Sequence, residues 1–211
     1  MGISVNDSRL SELARMINGW PGLVAGPAEE LVEDSLVLLD HLGDARRLVD
    51  VGSGGGLPGL PLKIARPDLV VTLVEADQAK AAFLIQACVR LELAGVEILA
   101  RRAEDVGRDP QYREVFDVAV ARALARMPTL VELCLPLVRV GGTLLAQKTE
   151  KADVAGARHA IEVLGGSLET VVPAPSTART SGTVVVVHKM SPTPAAYPRS
   201  PGTLSRKPLH N

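Results

Sequence analysis

The chain has 211 residues, 46% of them hydrophobic but only 2% aromatic, and a formal net charge of -1. That length suits one domain with a core of Val, Leu and Ala. Cys88 and Cys134 have no thiol or histidine at ligand spacing, and no apolar run approaches bilayer length, which excludes a disulfide scaffold, a zinc site and a membrane span.

The charge is unevenly placed. Residues 1–50 hold nine Asp/Glu against four Arg, whereas no acid occurs from Thr170 onward. That last stretch carries Arg179, Lys189, Arg199, Arg206 and Lys207. A polyanionic partner and a merely solvated tail both remain open. Met1–Asn6 has neither the order of a signal peptide nor a myristoylation motif, so a soluble, cytoplasmic protein is expected.

In chain order, residues 7–18 predict an amphipathic helix with Leu10, Leu13, Ala14 and Ile17 on one face, capped by Asp7 or Ser8 and broken by Gly19-Trp20-Pro21-Gly22. A second helix, from about Pro27 to Leu42, puts Leu31, Val32, Leu36, Leu39 and Leu42 together, with Glu29, Glu30, Glu33 and Asp34 as a solvated face. Strand one, ending Leu48-Val49-Asp50-Val51, runs into Gly52-Ser53-Gly54-Gly55-Gly56-Leu57-Pro58-Gly59 and a helix. Leu69–Val74 is strand two, ended by Glu75, and a helix from about Asp77 to Leu93 follows. Val96–Ala100 and Phe116–Ala121 are strands three and four, the latter running into Arg122. A helix over 127–138, Gly141-Gly142 and strand five (143–147) come next, then a helix near 151–164 and strands at 168–172 and 183–188.

Alternating strands and helices imply a parallel sheet with right-handed crossovers. The last two strands have no helix between them, so they predict an antiparallel hairpin at the edge. The expected fold is α/β: a Rossmann-like, seven-stranded, mostly parallel sheet of the class I methyltransferase type, with a short N-terminal helical cap. Three segments follow: a cap at 1–44, a cofactor-binding domain at 45–190, and an extended basic arm at 191–211. The arm's Pro192, Pro194, Pro198, Pro201 and Pro208 argue against regular structure there.

Five glycines in the eight positions 52–59 are costly for a mere connector and suit a backbone that touches a ligand. Residues 54–59 formally satisfy G-x-G-x-x-G, but Pro58 removes one of the N–H groups that a pyrophosphate needs at a helix start. S-adenosylmethionine, which carries no phosphate, is favoured over a dinucleotide. Asp50 would favour its ammonium indirectly, and Glu75, about twenty residues on, would accept from its ribose. Asp50, Gly52, Gly54, Leu57, Glu75, Ala103, Glu104 and Arg122 all fall at carboxyl ends of strands, where open α/β sheets bind ligands. The end of strand four reads Ala121-Arg122-Ala123, with no Cys, adjacent base or metal cluster. The target therefore needs no activation, and guanine N7 is such a nucleophile. An Arg can hydrogen-bond guanine O6 or a phosphate while N7 stays free.

Asp50–Gly59, Ala121-Arg122-Ala123, Gly141-Gly142 and the arm Tyr197-Pro-Arg-Ser-Pro-Gly-Thr203 with Arg206-Lys207-Pro208-Leu209 resemble the RsmG (GidB) family of 16S ribosomal RNA guanine-N7 methyltransferases, over roughly residues 30–209. The resemblance implies that Gly52, Leu57, Ala103, Glu104 and Arg122 contact S-adenosylmethionine, with Glu75 at its ribose and Arg122 in the catalytic position. It also implies that Lys148, Arg199 and the arm, including Arg206 and Lys207, hold 16S rRNA or the small ribosomal subunit. Trp20 or Tyr197 would stack a base. Three departures stand out. The tryptophan segment is abbreviated to Gly19–Leu23, Glu30-Leu31 replaces the usual Arg-His, and Gln147-Lys148-Thr149 replaces L-K-G. They leave open a diverged methyltransferase of small molecules and a non-catalytic RNA- or ribosome-binding module. An NAD-dependent dehydrogenase is the most distant alternative.

Overall fold

Short runs of Val and Leu, too short for helices and bounded by glycine or polar turns, build one seven-stranded sheet. The structure is a computed structural model that describes residues 7–148 and 154–209. The strands are β1 (Arg47–Val51), β2 (Val70–Val74), β3 (Val96–Leu99), β4 (Phe116–Arg122), β5 (Val138–Lys148), β6 (Gly166–Pro173) and β7 (Thr183–Lys189). Their order is β3-β2-β1-β4-β5-β7-β6. The pairs among β1 to β5 are parallel, while β7 is antiparallel to both β5 and β6. The edge hairpin expected from Pro173–Gly182 is present, with its second strand inserted beside β5. The order in which strands are added reverses between β1 and β4, so a crevice opens there at the carboxyl ends.

Side-chain alternation places apolar residues on both faces. Leu48, Val71, Leu73, Val118 and Val120 pack with α1 (Ser8–Asn18), α2 (Ala28–Ser35), α3 (Gly59–Ala65) and α4 (Gln78–Arg90). Val49, Ala119, Ala121 and Leu144 pack on the other side with α5 (Ala103–Val106), α6 (Met127–Cys134) and α7 (Arg158–Val163). The helix expected over 27–42 is α-helical only to Ser35 and continues as a 3-10 segment, Leu36–His41. Ser35 Oγ donates to the Leu31 carbonyl at 2.8 Å, the back-bonding that weakens helices at such residues. The helix expected near 151–164 has its start outside the described residues. Cys134 is fully buried and Cys88 half-buried, and burial pushes the Cys88 thiol up to about 11.

The C-terminal stretch departs from expectation. Pro201 opens α8 (Pro201–Arg206), because proline at the first helical position forgoes an N–H that has no helical partner anyway. Nor is the stretch a free arm. Arg113 donates to the carbonyls of Tyr197 at 2.8 Å and Thr193 at 2.7 Å, and Leu204 is buried in the second core.

Candidate functional site

A pocket of about 780 Å³ opens over the carboxyl ends of β1, β2, β4 and β5. Its first wall is the loop after β1. Gly52 has φ 74°, and a Cβ there would sit 2.5 Å from Leu124 Cδ1, so only glycine fits. The loop is fixed from below by Asp50, whose Oδ2 accepts from Gly59 N at 2.9 Å at the start of α3. Asp50 is fully buried, does not line the pocket, and its Oδ1 has no partner. Burial holds its carboxyl up at about 7, against the Gly59 hydrogen bond and the nearby Arg122 charge. Asp50 thus props the glycine loop from beneath and is not a direct contact of a ligand in the pocket. Its hydrogen bond also consumes an N–H at the helix start, which further disfavours a pyrophosphate.

Glu75 ends β2 and lines the pocket. Its Oε2 accepts from Gly54 N at 2.8 Å and its Oε1 from Asp77 N at 2.8 Å, tying the ends of β1 and β2 together. Each oxygen keeps acceptor capacity for a ligand hydroxyl. Beyond β3, Ala103 and Glu104 line the pocket from the start of α5. Glu104 is buried and paired with Arg102 at 2.8 Å. Gly54 and Leu57 line the same wall.

The opposite wall is cationic. Arg122 at the end of β4, Gln147 and Lys148 at the end of β5, and Arg179 before β7 line it. Arg122, Gln147 and Arg179 meet at Asp34, on α2, whose side chain is wholly buried. Arg179 Nε donates to both Asp34 carboxylate oxygens at 2.8 Å, Ser176 Oγ donates to Oδ1, and Arg122 Nη1 lies 3.6 Å from Oδ2. Burial lowers the Arg122 pKa, opposed by Asp34 and Asp50, and a guanidinium stays charged regardless. Burial also lowers that of Lys148, whose Nζ donates to the Ala125 carbonyl at 2.6 Å.

Several expectations change here. Asp34 is no solvated acid: it sits between Leu31 and Leu38 at helical spacing, on the apolar stripe of its helix, and that placement was its signal. Gln147, Arg179 and the rim residues Lys80, Arg101 and Arg102 also line the pocket without having been singled out for it. Arg199 is not presented to solvent as an RNA ligand. Its Nε and Nη2 bind the buried Glu132 at 2.8 and 2.6 Å. Lys189 is likewise buried, 3.0 Å from Glu114. Of the tail's five cations, only Arg206 and Lys207 are exposed. Trp20 packs edge-on against Phe83, with ring centroids 5.5 Å apart, and Tyr197 packs in the second core. Neither lines the pocket, so neither is placed to stack a base there.

The first wall fits S-adenosylmethionine: a side-chain-free cradle, a carboxylate at the β2 end with spare acceptors, and apolar Leu57, Val74 and Ala103 around it. Among the described residues no Cys or His lines the pocket, and the two lining carboxylates, Glu75 and Glu104, are engaged. Among the described residues no cluster of His, Cys, Asp and Glu could hold a metal, and no helix is long and apolar enough to cross a membrane.

The model of the rRNA small subunit methyltransferase G family (GidB) matches residues 27–180. Proteins named ribosomal RNA small subunit methyltransferase G are similar to this chain. The one from Roseiflexus sp. (strain RS-1) is 52% identical over 180 residues, covering 84% of this chain and 77% of that protein. The one from Moorella thermoacetica is 45% identical over 183 residues, covering 84% and 76%. Among solved structures, the O-methyltransferase TomG of Streptomyces achromogenes, in complex with S-adenosylmethionine, aligns with a TM-score of 0.62 at 22% identity, over 88% of this chain and 91% of that one. An O-methyltransferase from Bacillus cereus, in complex with S-adenosylhomocysteine, aligns at 0.63 and 21% identity, over 87% and 92%. These two share the fold.

Proposed function

This chain belongs to the rRNA small subunit methyltransferase G (GidB) family and uses S-adenosylmethionine, and we propose that it methylates N7 of one guanine in 16S rRNA of the small ribosomal subunit. One observation carries the reading: one pocket joins a cofactor cradle to a cationic wall and, among the described residues, no Cys, His or unengaged carboxylate lines it. When bound, S-adenosylmethionine supplies an electrophilic methyl group on a sulfonium. Guanine N7 attacks through a lone pair it already has, so the protein needs no base. Its work is alignment, exclusion of water and stabilisation of charge.

Gly52, Gly54 and Leu57 define the cradle, Glu75 accepts from ribose hydroxyls, and Ala103 and Glu104 close the far side. Arg122, held by Asp34, faces the target with a fixed positive charge and is the residue assigned to contact the base. Lys148, the exposed Arg126, Arg206 and Lys207 supply phosphate contacts, so RNA binding should weaken steeply with salt. The test is transfer of labelled methyl from S-adenosylmethionine to small-subunit particles lacking the modification, with borohydride–aniline cleavage to map N7-methylguanine. One cleavage site supports the reading. Transfer without such cleavage sends the methyl elsewhere, and cofactor binding without transfer favours a non-catalytic binder.

A further inference from the structure

The carboxyl ends of the parallel strands form a row in the order β3, β2, β1, β4, β5, and cations stand at both ends of it. The glycine cradle follows β1, at the centre of the row. On one side of it lie Arg122, ending β4, Lys148, ending β5, and the exposed Arg126. On the other side lie Lys80, in the first turn of α4 after β2, and Arg101 and Arg102, just beyond β3. Those two arginines are matched by acids: Arg101 Nη1 meets Asp109 at 2.8 Å, and Arg102 Nη2 meets Glu104 at 2.8 Å. Lys80 is different. Its backbone N–H donates at 3.1 Å to Asp77, the helix cap, but among the described residues its ammonium has no hydrogen bond or ion pair. A helix's first turn is its positive end, where a cation is disfavoured. The side chain is also half-buried and lines the pocket, so it is not simply held out into water.

We infer that a single-stranded stretch of the RNA crosses this row from β5 to β3, sets a phosphate on the Lys80 ammonium, and so closes over the bound cofactor. This rests on the RNA-methylation reading above. Neighbouring strands stand about 4.8 Å apart, so the four spacings from β3 to β5 come to about 19 Å, within reach of a few unstacked nucleotides. A lysine is a point charge on a flexible stem, which suits a phosphate rather than a base edge. A chain of phosphates that meets cations on both flanks has to pass over the cradle between them. Binding is then ordered. S-adenosylmethionine enters the open pocket first and the RNA second, and S-adenosylhomocysteine leaves only after the RNA.

The experiment follows release of radiolabelled S-adenosylhomocysteine from the protein into excess unlabelled S-adenosylhomocysteine. It is run with and without saturating small-subunit particles that lack the modification, and particle binding is checked by co-sedimentation. Bound particles should slow release by about tenfold. Lys80→Ala should remove most of that slowing and lower the salt slope of particle binding by about one. Lys80→Arg, which keeps the charge, should retain the slowing. Alanine is the best helix former and takes a cation away from the positive end, so Lys80→Ala should fold as the wild type does. Release that is equally fast with particles bound, or slowing that survives undiminished in Lys80→Ala, overturns the proposal. So does altered release from Lys80→Ala without particles, which would make Lys80 a ligand of the cofactor instead. The two readings fail separately. Particles that accept methyl yet leave release unhindered remove only the crossing, whereas particles that neither bind nor accept methyl remove the RNA reading and the crossing with it.

Discussion

The two walls of the pocket are built in different ways. The cofactor wall is mostly one uninterrupted segment, Val51 to Gly59, whose shape follows from glycines at fixed offsets and from a neighbouring carboxylate. The cationic wall draws Asp34, Arg122, Gln147 and the loop of Ser176 and Arg179 from four separate places and joins them through one buried carboxylate. A wall made of backbone is specified locally. A wall made of long side chains exists only when the whole sheet has assembled.

That contrast can be broken from either side. Asp34→Ala should cost the most, about 3–5 kcal/mol in denaturant unfolding, because it strands the buried Arg179 and deprives Arg122 of its counter-charge. Arg122→Ala should lower turnover by roughly 10²-fold or more while S-adenosylmethionine still binds, as when one donor is lost from a preorganised site. Cofactor affinity falling as steeply as turnover would mean that the walls are not separable. Asp50 should give the cofactor wall a pH signature. Its folded pKa of about 7 lies above the ordinary 3.8, so the folded state holds the extra proton. Its contribution to stability is full below 3.8 and is lost as pH rises to about 7, a change of a few kcal/mol. Asp50→Asn should flatten that slope in thermal unfolding followed from pH 4 to 8.

Glu75→Gln should weaken S-adenosylmethionine binding by about tenfold in calorimetry and lower stability by about 1 kcal/mol, since one of its two acceptor oxygens becomes an NH2 donor facing a backbone N–H. The smallest effect belongs to the exposed tail. Arg206→Ala and Lys207→Ala should leave stability within about 0.5 kcal/mol and each reduce the salt slope of RNA binding by about one. An unchanged slope would move the phosphate contacts to the pocket rim.

The same contrast explains what could be read beforehand. The strands, the edge hairpin and the glycine loop were legible because apolar period, breaker residues and the Glu75 offset are local signals. Asp34 was misread because charge alone suggested solvent, although its helical spacing from Leu31 and Leu38 placed it inward. The tail's lack of acids left a polyanionic partner and a solvated tail both open, and neither showed that Arg179, Lys189 and Arg199 are matched by Asp34, Glu114 and Glu132, supplied by much earlier parts of the chain. Composition by window cannot show a pairing between windows.

Those three pairs also impose an order on biosynthesis. Each joins an acid made early to a cation made late, and the acids of two of them, Asp34 and Glu132, are wholly buried. Until the final quarter of the polypeptide has left its own ribosome, Glu132 lacks its Arg199 partner and Asp34 has only Arg122, 3.6 Å away, so both stay more hydrated or protonated than in the finished fold. The sheet's middle can pair beforehand, but the cap and α6 cannot close onto it. Folding of the emerging chain is therefore held incomplete through most of translation, and the cationic wall is the last part of the pocket to come into being.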